Sequence, residues 1–163
     1  MPVRMLKPIF TALMCSLLLA AQASHADEPM AVIVSGTDSI KPMQLADIGL
    51  IYLRKKLYWP NGKPVHPANL PTQHPLRRQF SRQLLGGLPE SQVEYWNEQY
   101  FHGISPPHVV GSSEGMLRYV AETSGAIGYV AACAVDKRVK VLLWLDADGR
   151  RSERPECADA TPQ

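Results

Sequence analysis

The sequence predicts an α/β fold, a small sheet layered with helices, and three observations carry the prediction. Residues 112–123 read as an amphipathic helix that stops at Gly125 and passes at once into the apolar run 126–130, the αβ half of a βαβ unit. A second strand-then-helix pair lies earlier, at 31–34 and then Leu45, Ile48, Ile51 and Tyr52 at helical spacing. Residues 27–163 number 137, enough to bury one core and too few for two comfortable domains.

The elements follow in order. Residues 1–26 have the form of a secretory signal. Arg4 and Lys7 are basic, 9–21 are mostly apolar, and Ser24-His25-Ala26 offers small residues at the −3 and −1 positions of a cleavage site near Ala26. The apolar core is too short for a stable membrane span. Cys15 invites a lipoprotein reading, but Met14 stands where a small residue is wanted. The expected organisation is a signal over 1–26, one domain over 27–145 and a polar tail over 146–163, with the mature chain in the periplasm.

Within the domain, Ala31-Val32-Ile33-Val34 is a brief β-type run ended by Ser35-Gly36-Thr37-Asp38. A helix is expected over 44–56 and a turn-rich connector over 58–64, where Asn61-Gly62 is the strongest turn signal. Residues 65–70 form a second strand. Pro75 suits the first position of a helix over 75–85 that closes at Gly86-Gly87. Another helix opens at Pro89 or Ser91, runs to His102 and closes at Gly103. Ser105-Pro106-Pro107 is an extended linker, and Ser112 or Ser113 caps the next helix with Glu114 in its first turn. Residues 137–145 make the last strand, with Val139, Val141 and Leu143 on one side. Trp59, Tyr95, Trp96 and Tyr100 are expected to fill the core or line a groove.

Charge and motif content exclude several functions. The full chain has 17 basic and 15 acidic residues, but the two extra bases are Arg4 and Lys7, so residues 27–163 are neutral overall. That balance argues against nucleic acid or an anionic membrane surface as partner. His66, His74, His102 and His108 lack metal-ligand spacing, so neither metal nor cofactor is expected. There is no Gly-x-Ser-x-Gly elbow, P-loop or dinucleotide fingerprint, and Glu94 and Glu98 read as an exposed pair one helical turn apart. Catalysis is not expected. Cys133 and Cys157 are the pair left after Cys15. A disulfide between them would pin the tail to the domain edge; the alternative is a buried free thiol and an unrelated exposed one.

The run from Val120 to Val130, V-A-x-x-x-G-A-I-G-Y-V, resembles the helix-to-strand junction of type II periplasmic solute-binding proteins, in particular the phosphate-binding proteins of ABC importers. Residues 51–59 are similar to a family phrase of the type I-F-x-G-K-x-x-x-W, with Arg54 where glycine is more typical. Phe80-Ser81-Arg82, Leu84-Leu85-Gly86, Tyr95-Trp96-Asn97 and Ser105-Pro106-Pro107 are similar to a compact, single-lobe subgroup. The resemblance spans about 31–143 and implies a small three-layer-type sheet with helices, one lobe of a binding protein that in full form clamps its ligand between two.

It further implies a small anion such as phosphate as ligand, with a membrane transporter or sensor, or a second copy in a homodimer, as partner. The family's anion loop corresponds here to 70–77. Thr72 keeps a hydroxyl there, but no glycine is present and Pro75 removes a donor. Thr72, His74, Arg77 and Arg78 cluster about this helix start, and Arg77 offers a fork to an oxyanion or carboxylate. The competing reading makes Arg77, Arg78 and Arg82 a solvated face with Thr72 as a cap. The loop holding Ser35 and Thr37 is a second candidate, because it follows a strand's carboxyl end, or else an ordinary turn. The rival function is a periplasmic protein-interaction module that keeps the fold without binding a ligand.

Overall fold

A computed structural model describes residues 27–157. The expected signal, its cleavage position and Cys15 lie outside the described residues, as do 158–163 of the tail. The elements are β1 (Met30–Ser35), α1 (Leu45–Tyr52), β2 (His66–Asn69), α2 (Pro75–Leu85), α3 (Val93–Phe101), β3 (His108–Val109), α4 (Ser113–Glu122), β4 (Ala126–Ala131), β5 (Val139–Leu145) and β6 (Arg151–Ser152), with 3-10 turns at Pro89–Gln92 and Ala132–Ala134. The six strands form one mixed sheet in the order β3-β2-β4-β1-β5-β6. β2 runs parallel to β3 and β4, while β1 is antiparallel to both β4 and β5.

Successive strand residues face opposite sides, and β4 shows what covers each. On one side a Cβ at Gly128 would lie 2.8 Å from Val120 Cγ2 and collide with Met116, so α4 rests flush on the strand. On the other side Tyr129 stacks on Phe80 of α2 at 3.9 Å between ring centroids, and Tyr52 of α1 packs on Phe80 at 4.6 Å. The molecule is thus three layers, α4 on one face of the sheet and α1 with α2 on the other. β1, central in the sheet, is buried along its whole length, which accounts for its unbroken apolar run.

Several boundaries differ from the sequence reading for identifiable reasons. α1 ends at Tyr52 rather than near Lys56, because Arg54 takes the left-handed conformation (φ 58) and the chain wraps back, Lys55 and Lys56 donating to Leu50 O at 2.8 and 3.1 Å. Glycine is the usual residue in that conformation, which gives a physical meaning to the family phrase that Arg54 breaks. In β5 the register shifts opposite Val32 and Ile33, so Val141 pairs with Ile33 and Leu143 with Val32. Paired residues share a face, and Leu143 therefore lies on the opposite side from Val141. Trp59 is buried, whereas Tyr95 and Trp96 are only half-buried and Tyr100 is 72% exposed; of these aromatics only Trp59 joins the core.

β4 and β5 run parallel with β1 between them, so residues 132–138 must return along the length of the sheet. The segment does so with only the 3-10 turn at Ala132–Ala134 and four further residues, without a crossover α-helix. Two ties hold this strap. Arg138 donates to both carboxylate oxygens of Glu114 at 2.7 and 2.8 Å and also to Asp136, pulling both carboxyl pKa values down. Cys133 is bonded to Cys157, with Cα atoms 5.5 Å apart. Cys133 is exposed, which sets aside the buried-thiol alternative. The segment expected as a polar tail begins as a hairpin: β6 pairs with β5, and Gln83 Nε2 of α2 donates to Ala147 O at 2.7 Å.

Two stability measurements check this packing. Gly128→Ala is expected to cost about 1–3 kcal/mol in a urea melt, since the stiff Val120 side chain has to move. Reducing the disulfide, which spans 24 residues of sequence, is expected to cost about 3 kcal/mol by the chain-entropy relation and to raise amide exchange in β6 first.

Candidate functional site

The site is set by where the parallel strands end. The chain leaves β2 at Leu70 and enters α2 at Pro75; it leaves β3 at Val110 and enters α4 at Ser113. β2 and β3 are neighbours, with Asn69 paired to Val109 and Val110 N–H donating to Asn69 O at 2.8 Å. Their helices lie on opposite faces of the sheet. Adjacent parallel strands feeding helices on opposite faces define a topological switch point, the place where open α/β sheets form a ligand crevice. Both helix amino termini, with their outward N–H groups and positive dipole ends, begin there.

Each predicted residue has a definite place. His74 is the N-cap of α2: its Nδ1 accepts from Leu76 N–H at 3.2 Å, which puts the proton of the neutral ring on Nε2 as a further donor. Thr72 is exposed in the loop before it and makes no capping bond. Arg77 is only 6% exposed and turns inward, its Nη1 donating to Asn69 Oδ1. Its Nε is buried with no partner, and among the described residues no carboxylate pairs with it. Arg78 instead pairs with Glu90 beyond the carboxyl end of α2, and Arg82 pairs with Asp27. The solvated-face reading therefore describes Arg78 and Arg82, while Arg77 belongs to the sheet.

Ser35 and Thr37 lie at the other end of the sheet, because β1 runs antiparallel to β4 and ends beside Ile127. Ser35 Oγ and Thr37 Oγ1 are 2.9 Å apart, and Ser35 Oγ donates to Ala121 O at 3.4 Å, in the last turn of α4. A helix carboxyl end is the negative pole of its dipole, an unfavourable neighbour for an anion. A cavity of about 460 Å³ lies at this same end, with an apolar floor of Ile40, Met43 and Trp59. Its charged lining is Asp47 and Lys56, paired with each other at 2.8 Å, and Lys41, which is exposed to water.

Asn69 is the central residue that the sequence reading missed. Its Oδ1 accepts from Arg77 and from Tyr129 OH at 3.3 Å, and Tyr129 OH in turn accepts from Leu70 N–H at 3.3 Å. An asparagine at the carboxyl end of a predicted strand, just before a helix, was the available signal. Of the two candidate caps, Ser112 is the one that caps α4, accepting from Gly115 N–H at 3.0 Å. Burial pushes the Tyr129 pKa up to about 12, opposed by the nearby Arg77 charge, and burial likewise raises Tyr52 well above its usual value.

No family model and no curated protein matches this sequence. Solved structures match it in shape, and the shape is that of a solute-receptor lobe. An ABC-type phosphate transport receptor from Vibrio cholerae aligns with a TM-score of 0.56 at 16% identity, over 70% of this chain and 45% of its own. A protein described as a phosphate ABC transporter substrate-binding protein, from Clostridium perfringens with bound phosphate, aligns at 0.57 with 20% identity over 70% and 44%. PstS from Borrelia burgdorferi aligns at 0.53 with 12% identity over 70% and 46%. The chain has the fold of these proteins and spans somewhat less than half the length of each, the extent of a single lobe.

The two buried tyrosines give the site a pH signature. Both are neutral in the folded and unfolded chain below about pH 9, but above the ordinary value of 10.0 only the unfolded chain ionises readily. Stability should therefore fall as pH rises from about 10 toward 12, by about 1.4 kcal/mol per pH unit for each tyrosine. Urea melts at several alkaline pH values should show this slope, roughly halved in Tyr129→Phe.

Proposed function

We propose that this protein is a non-enzymatic, solute-binding-like protein of the periplasm that takes a small oxyanion such as phosphate, weakly, at the switch point beside Asn69 and Arg77. It is exported by the 1–26 signal and serves a transport or sensing system through a membrane partner. One observation carries the reading: a buried guanidinium with no carboxylate partner stands where two helix amino termini begin. An uncompensated buried charge is costly, and an incoming oxyanion would compensate it. Thr72, the Nε2–H of His74 and the free N–H groups of α2 and α4 supply further donors. The likeness to phosphate receptors, one of them holding phosphate, supports the choice of ligand. With one lobe's contacts instead of two, the affinity is expected to be about millimolar.

A second reading, a protein-interaction module without a ligand, is favoured by the exposed apolar residues of α3. Calorimetric titration of the mature chain with phosphate, sulfate and acetate separates the two. Saturable oxyanion binding, weakened about tenfold or more in Arg77→Met and His74→Ala and unchanged in Arg78→Ala, supports the anion site. Heat indistinguishable from dilution for all three anions overturns it, and a control melt reports whether the Arg77 variant is folded.

A further inference from the structure

A cavity of about 370 Å³ opens at the β3 edge of the sheet, near the amino ends of β2 and β3. The volume falls within the range of small-molecule sites, about 300–1,000 Å³. Its β2 residue is His66, the first of the strand, whereas the anion crevice lies beyond Asn69, the last, so the two places are distinct. Four stretches of chain meet here: the turn after α1, the head of β2, residues 103–108 leading from α3 into β3, and Tyr119 of α4.

The charge of the lining has one sign. It holds Arg54, His66 and His108 and no carboxylate. Arg54 is half-buried and donates through Nη1 to Val65 O at 3.2 Å; among the described residues it pairs with no carboxylate. A guanidinium carries five N–H donors, so this bond leaves most of the fork for another acceptor. Its backbone is left-handed (φ 58), a conformation that glycine takes freely and arginine takes at a cost. Strain of this kind gathers at ligand clamps.

The remainder of the lining suits an apolar body. The His108 ring stacks on that of Tyr119, with centroids 5.0 Å apart and planes inclined by 25°, and Leu57 and Pro106 add apolar surface. Inorganic phosphate would meet the bases and leave this surface in water, while an uncharged apolar molecule would leave Arg54 unmatched. We propose that the cavity binds a small organic monoanion, its carboxylate on Arg54 and its apolar body beside the His108–Tyr119 stack. One permanent positive charge calls for one negative charge, and the guanidinium fork matches the two oxygens of a carboxylate.

Amide NMR titration of the mature chain tests this with three probes. Phenylacetate has both parts, 2-phenylethanol has the body without the charge, and inorganic phosphate has charge without the body. Phenylacetate is expected to bind saturably, with shifts gathered at Arg54, His66 and 104–108. At these amides the other two probes should bind about tenfold more weakly or worse. Arg54→Gly removes the fork and suits the backbone, so it should stay folded, which a melt checks, and should weaken phenylacetate about tenfold or more. Phenylacetate that fails to saturate, shifts other amides, binds no better than 2-phenylethanol or ignores Arg54→Gly overturns the proposal. Arg77→Met should leave phenylacetate binding unchanged and Arg54→Gly should leave phosphate binding at the crevice unchanged, so the two sites stand or fall separately.

Discussion

Gly125 donates its N–H to the buried Asp38 carboxylate at 2.9 Å and accepts at its carbonyl from Trp59 Nε1 and from His66 N–H, both at 3.0 Å. One peptide junction thus ties the end of α4 to the loop after β1, the connector after α1 and the first residue of β2. The conformation is left-handed (φ 79), and a Cβ there would collide with the Pro64 carbonyl, so only glycine fits. A hydrogen bond to a buried carboxylate contributes about 1.5–3 kcal/mol, and Asp38 has Lys63 as its counter-charge at 3.4 Å. Were this junction loose, α4 would not lie flush on Gly128, and the register that carries β2 into the sheet would lose its anchor.

The consequence reaches the opposite end of the sheet. With β2 held at His66, Asn69 arrives beside Val109, and the two helix starts meet across the edge of the strands. Arg77 then has little choice of direction. Phe80, one turn further along α2, is committed to its stack on Tyr129, so Arg77 on the same inward side is drawn under the sheet end with Asn69 as its partner. The anion reading and the aromatic core therefore share one cause, the face of α2 that packs.

The two ends of the molecule divide the labour. At the Gly125 end the Ser35 and Thr37 hydroxyls meet each other, the indole N–H of Trp59 is taken by the Gly125 carbonyl, and the cavity is lined by a closed ion pair and the water-exposed Lys41. At the Asn69 end the charge left over, that of Arg77, is a buried one. Loops that look alike as strings, Ser35-Gly36-Thr37 and Thr72-Gln73-His74, differ in that one meets the carboxyl end of a helix and the other the amino end.

Periodicity and glycine placement alone determined the α/β class, the extents of α2 and α4 and the apolar β1 and β4, because local spacing records which residues must face a core. The resemblance of 120–130 to a receptor lobe was legible because Gly125 and Gly128 are sterically forced. Other features came only from the folded chain. The left-handed turn at Arg54, the bulge in β5, the two-residue β3 and β6, and the inward turn of Arg77 beside outward Arg78 each depend on a neighbour distant in sequence. A run of Arg77-Arg78 specifies two charges; which of them is buried is decided by Phe80 and Asn69, and that is information no local pattern contains.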